Sequence, residues 1–83
     1  MKVAVRYFAS IREAVGVGSE SVETRAETLA ALRDELIARG EPHAGALARG
    51  KSVRLALDQV LSEESAALRD GAEVAFFPPV TGG

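Results

Sequence analysis

An α+β roll, with one principal helix laid across one mixed sheet, is the fold class this chain predicts, and three observations predict it. Apolar–polar alternation marks KVAVRYF at Lys2 to Phe8 and EVAFF at Glu73 to Phe77, so strands open and close the chain. Between them a single segment, TLAALRDELIARG at Thr28 to Gly40, sustains a helical period. Size is the third: 83 residues, 47% hydrophobic and 27% charged, make one domain with one small core, burying roughly 60 to 65% of the unfolded surface.

In the first strand Val3, Val5 and Tyr7 alternate with Lys2, Ala4 and Arg6. ASIREAVG follows, where Ser10 and Glu13 have capping-box spacing, Ile11, Ala14 and Val15 share a face, and Gly16 suits a left-handed stop. GVGSES lacks the third glycine of a phosphate loop and follows a helix, so it reads as a plain turn. Ser19 to Thr24 is a more polar strand, antiparallel to the first. In the main helix Leu29, Leu32, Leu36 and Ile37 form one stripe, Thr28 is the N-cap, Arg39 lies in the last turn and Gly40 follows it. EPHAGALARGK turns, with a further helical turn at His43 to Ala48. Val53 to Leu57 alternates, Asp58-Gln59 turns, and Val60-Leu61 begins a short return strand. SEESAALRDG is polar and ends in the Asp70-Gly71 turn. Pro78 stops the last strand because it has no N–H to donate to a ladder. Strand, strand, helix, strand, short strand, strand is the order of a β-grasp roll, whose first and last strands lie parallel at the sheet centre. The division is a domain over 1–77 and an extended, flexible tail over 78–83.

Composition narrows the function. A chain this small seldom walls a catalytic cleft, which favours binding or carriage over self-contained catalysis. Net charge is −2, pI is about 5.3, and the ten basic residues are scattered, which argues against nucleic acid. Without cysteine there is no disulfide framework, thiolate metal site or thiol nucleophile. Arg6 and Arg12 interrupt any signal-peptide core and no run approaches a membrane span, so a cytoplasmic protein is expected. His43, the sole histidine, reads as a surface residue, and Asp34-Glu35 and Glu63-Glu64 read as solvated faces. No spacing resembles a metal site. Arg49, Lys51 and Arg54 are the densest basic group, either a dock for an acidic partner or anion or a basic turn without function.

The end of the chain, FFPPVTGG, carries chemistry. Pro78-Pro79 holds two φ angles at about −65° and stiffens the exit direction. Val80 to Gly83 then spans at most about 13 to 14 Å, enough to thread a partner's active site. Gly82 and Gly83 have no Cβ, so they pass a narrow channel and leave the α-carboxyl carbon of Gly83 open to attack. A free carboxylate is a poor electrophile and needs activation, most simply adenylation. The chain has no P-loop, so a separate activating enzyme is implied. The activated acyl group can pass to a lysine amine or to sulfur. Phe8 and Phe77 have the parity of the face opposite the helix, at the same end of neighbouring strands, and form a candidate partner patch; Phe8 folding under the short helix as core is the alternative.

DGAEVAFFPPVTGG (Asp70 to Gly83) together with VRYFASIREAVG (Val5 to Gly16) resembles the MoaD family, the ubiquitin-like small sulfur-carrier subunit of molybdopterin synthase, related to the thiazole-pathway carrier. One departure is Asp58, where the family often has asparagine before the hairpin glutamine. The resemblance implies that Gly83 is adenylated by an E1-like MoeB-type enzyme using ATP, with no cofactor stably bound to the carrier. A sulfur donor then converts Gly83 to a thiocarboxylate. The tail enters a MoaE-type large subunit that supplies the catalytic residues, and sulfur passes to cyclic pyranopterin monophosphate. Gly82 is then the narrow neighbour, and Val80, Thr81, Pro78 and Pro79 line the path. The resemblance also implies a monomer alone and a heterotetramer with the large subunit. A carrier or protein modifier of another pathway, detectable as a larger covalent species, and a non-covalent module with a passive tail are the other readings.

Overall fold

The computed structural model describes residues 1–79. Its elements are β1 (Lys2–Tyr7), α1 (Ala9–Val15), β2 (Ser19–Glu23), α2 (Leu29–Ala38), α3 (His43–Ala46), β3 (Arg54–Leu57), β4 (Val60–Ser62) and β5 (Glu73–Phe77). The five strands run in the order β2-β1-β5-β3-β4. β1 pairs parallel with β5 at the centre, and the other neighbours are antiparallel. A parallel pair needs a long crossover, which the intervening helices and the β3–β4 hairpin supply.

The core forms where the α2 stripe meets the inward side chains of the sheet. Leu29, Leu32 and Leu36 are fully buried and join Val3, Val5, Tyr7, Val22, Leu55, Val74 and Phe76 in one cluster. Each such side chain contributes about 1.5 to 3 kcal/mol of hydrophobic transfer. The alternation in β1 is strict, with Lys2, Ala4 and Arg6 exposed, so the second sheet face is left open. Thr28 caps α2 as expected, its hydroxyl accepting the Ala31 N–H at 3.1 Å. Asp58 and Gln59 both adopt positive φ, 49° and 69°, as a tight two-residue hairpin of primed type requires. The Asp58 carboxylate also accepts the Glu73 N–H at 2.9 Å, tying that turn to β5.

Local readings need four corrections. The Ser10–Glu13 capping box does not form, because the Phe8 carbonyl already accepts the N–H groups of Ile11 and Arg12 and the helix starts at Ala9 with Phe8 as an N-cap lacking a side-chain bond. Ala14 faces solvent while Ile11 and Val15 are buried. β2 stops at Glu23 because the buried Thr24 turns the chain, its hydroxyl accepting the Ala26 N–H at 2.9 Å and donating to Glu35 at 2.6 Å. Asp34-Glu35 and Glu63-Glu64 are therefore not simply solvated: Glu35 holds that hydroxyl, while Asp34 and Glu64 converge on Arg49.

Candidate functional site

β1 and β5 end side by side. Tyr7 stands opposite Phe76, and the ladder continues one step further as the Phe8 N–H donates to the Phe76 carbonyl at 3.1 Å. Strand alternation then sends Tyr7, Phe8, Phe76 and Phe77 to two faces. Tyr7 and Phe76 point inward and stack with centroids 6.1 Å apart. Phe8 turns outward and is 38% exposed, so it is not core under α1. Phe77 has the same parity, is half-buried, and stands opposite Arg54 in the β3–β5 register. The Arg6 guanidinium lies 5.1 Å from the centroid of the Phe8 ring, within cation–π range. The half-buried Pro78 and Pro79 leave the sheet here. Pro78 lines a recess of about 120 Å³ together with Ser10, Lys51 and Val53.

Behind this end lies a polar cluster that the spacing of residues did not disclose. Glu20 receives hydrogen bonds from the Tyr7 hydroxyl at 2.7 Å and from Arg39 at 2.9 Å, and lies 2.8 Å from His43 Nε2. His43 packs edge-on against Tyr7 with centroids 6.0 Å apart and its side chain is only 15% exposed. It is thus a half-buried partner of Glu20 and Tyr7, not a freely solvated surface histidine. Partial burial pushes the Glu20 pKa up, but hydrogen bonds from His43, Tyr7 and Arg39 outweigh it and hold the carboxyl at about 2. Burial, and then the bond to Glu20, raise the Tyr7 phenol above its ordinary range. Only the inward-facing parity of Glu20 on β2 hinted at this cluster in the sequence.

Phe8, Phe77, Pro78 and Pro79 are brought together at the end of the central strands. Val80, Thr81, Gly82 and Gly83 lie outside the described residues. The Arg49–Lys51–Arg54 group is split. Arg49 is spent on Asp34, Glu64 and the Ala30 carbonyl, whereas Lys51 and Arg54 are exposed and unpaired among the described residues. Among the described residues no group of three or more His, Cys, Asp or Glu could hold a metal ion, and no helix is long and apolar enough to cross a membrane. What the geometry offers is presentation: an apolar platform with a departure direction stiffened by two prolines, set where the two central strands end.

Parallel first and last strands at the centre, one helix across one face and a short β3–β4 hairpin define a ubiquitin-like β-grasp domain. The chain belongs to the ThiS family, which it matches over residues 5–83. It is 42% identical over 79 residues to the molybdopterin synthase sulfur carrier subunit of Haemophilus influenzae, covering 95% of this chain and 96% of the relative. To the protein of the same name from Escherichia coli it is 43% identical over 81 residues, covering 98% and 99%. Among solved structures, it resembles a chain in the complex of subunits 1 and 2 of molybdopterin-converting factor from Helicobacter pylori, with 30% identity, a TM-score of 0.68 and full coverage of both chains.

Proposed function

We propose that this chain is the sulfur-carrier subunit of a molybdopterin synthase. The observation that carries the reading is the near full-length match to two relatives bearing that name, and FFPPVTGG gives it a chemical basis. Gly83 is the reacting residue. Its carboxylate attacks the α-phosphorus of ATP on an E1-like activating enzyme, pyrophosphate leaves, and a sulfur nucleophile then displaces AMP to give a thiocarboxylate. ATP is consumed by that enzyme and no cofactor stays on the carrier. Gly82 passes the narrow part of the partner's channel, Val80 and Thr81 line the path, and Pro78-Pro79 aims it. Phe8 and Phe77 seat the large subunit, which supplies the catalytic groups and receives the sulfur for cyclic pyranopterin monophosphate. The setting is cytoplasmic, where ATP and the partner enzymes are found.

The test is the mass of the tryptic peptide from Asp70 to Gly83 after incubation with ATP, activating enzyme and sulfur donor. Met1 is the only methionine, so exchange of oxygen for sulfur cannot be confused with methionine oxidation. The expected result is that exchange at Gly83, and its loss, with folding retained, when Gly82 and Gly83 are deleted. An unshifted peptide with an enzyme active on another carrier defeats the reading, and a larger lysine conjugate in its place makes the chain a modifier.

A further inference from the structure

Overall the chain is acidic, −2 at neutral pH, yet the fold leaves an excess of unpaired cations at one end of the strand axis. Arg33, Arg39 and Arg49 are consumed inside the molecule by Glu64, Glu20 and Asp34. Arg6, Lys51 and Arg54 are exposed and take part in no ion pair among the described residues. All three stand at the end where β1 and β5 finish. Arg6 packs over Phe8, Arg54 is opposite Phe77, and Lys51 shares the Pro78 recess. Glu63 borders the groove beside Arg54 without pairing to it. The other end of the open sheet face holds four carboxylates against the exposed cations Lys2 and Arg69. Glu23 lies opposite Lys2, Glu73 opposite Ala4, and Asp58 and Asp70 bind the backbone N–H groups of Glu73 and Lys2. From Glu73 to Phe77, which stands opposite Arg54, is about 13 Å of strand, more than the Debye length of about 8 Å at physiological salt, while Arg6 stands about 7 Å along β1 from Ala4, the partner of Glu73. A partner therefore meets Arg54 and the acidic end separately, with Arg6 between them.

The basic end is also held in place. The buried Arg33 donates to the carbonyls of Leu47, Ala48 and Lys51 at 2.9, 2.9 and 3.3 Å, which fixes the backbone that carries Lys51.

We propose that Arg6, Lys51 and Arg54 form a basic collar around the tail exit that steers it onto carboxylates rimming the large subunit's channel. This rests on the sulfur-carrier reading. Two phenylalanines make a small contact with little directional information, and a flexible approach would present the wrong face in most encounters. A positive end paired with a negative end turns the molecule in the partner's field before contact, which acts on association rate more than on the lifetime of the complex. The occupant is a folded protein with an acidic mouth; a nucleic acid strand would be repelled by the carboxylates at the far end of the same face.

The experiment is stopped-flow association of the full chain with the large subunit across a range of ionic strength. For Arg6→Gln/Arg54→Gln the association rate is expected to fall roughly three- to tenfold at low salt and converge with the unsubstituted chain at high salt. The dissociation rate should change less than about twofold. Convergence at high salt also shows that the variant is folded. Arg54→Glu should slow association further, and Lys2→Gln, at the acidic end, should not slow it. Equal rates and equal salt slopes for the double variant, a loss confined to dissociation, or no association of the unsubstituted chain would each overturn the collar. Failure of the carrier reading would show elsewhere, as absence of the Gly83 thiocarboxylate, a step that takes place before the large subunit is met.

Discussion

Ala9 and Gly16 bracket α1, and both have positive φ, 51° and 93°. Glycine accepts that region freely, whereas an L side chain loses roughly 1 to 2 kcal/mol there. Substitutions at the two positions should therefore have opposite signs. Ala9→Gly should stabilise the fold by about 0.5 to 1 kcal/mol, the strain relieved less the extra chain entropy of glycine. Gly16→Ala should destabilise it by about 1 kcal/mol, through backbone strain alone, because a Cβ there would meet nothing within 4 Å. Urea denaturation reads both, and a destabilised Ala9→Gly would end the strain argument. The two positions also differ in legibility. A glycine after a helical stripe announces a left-handed stop, so Gly16 could be read; alanine signals a helix interior, so the turn at Ala9 could not. That turn ends β1 at Tyr7, starts α1 and leaves Phe8 outward, which the spacing of Ser10 and Glu13 had obscured.

Among elements, the joint between β2, α2 and α3 depends on Glu20. Its folded pKa of about 2 lies below the ordinary 4.5, so the deprotonated carboxylate favours the native state. That contribution is fully present above about pH 4.5 and is lost as pH falls toward 2. Glu20→Gln should therefore lower stability at neutral pH and flatten the acid limb between those values, leaving the two proteins closest at the acid end. Thermal melts from pH 2 to 7 would show it, and parallel curves would mean that the bonds from Tyr7, Arg39 and His43 contribute nothing net. Element existence was legible here, since the periods of β1, α2 and β5 are strong and the Asp58-Gln59 turn is short. The joint was not. Arg39 and His43 lie 19 and 23 residues from Glu20, and only the folding of the α2–α3 corner onto the sheet, with His43 against Tyr7, brings them to its carboxylate.

At the scale of the molecule, the platform at the end of β1 and β5 should be separable from the fold. Phe77 is half-buried and faces away from the core cluster. Phe77→Ala should thus change stability by no more than about 1 kcal/mol while weakening association with the large subunit by at least roughly tenfold, as loss of an aromatic anchor does. Titration calorimetry alongside a denaturation curve tests both halves. Unchanged affinity would remove Phe77 from the interface, and unfolding would place it in the core. Centring the last strand matters for this role, because a central strand is bonded on both edges and its end moves least when a partner pulls on the tail.

Periodicity and residue type were enough to settle the β-grasp class and the inward stripe of Leu29, Leu32 and Leu36, and residue type alone motivates the chemistry proposed for Pro78-Pro79 and Gly82-Gly83. These are local properties: a period, a missing N–H and a missing Cβ act on the residue that carries them. Which charges remain available was settled by folding alone. Arg33, Arg39 and Arg49 look no different in sequence from Arg6 and Arg54, yet folding buries or pairs the first three and leaves the others at the exit. Whether a cation meets a carboxylate depends on which segments pack together, and in this chain that is set by long-range contacts between strands and helices, not by neighbours along the backbone.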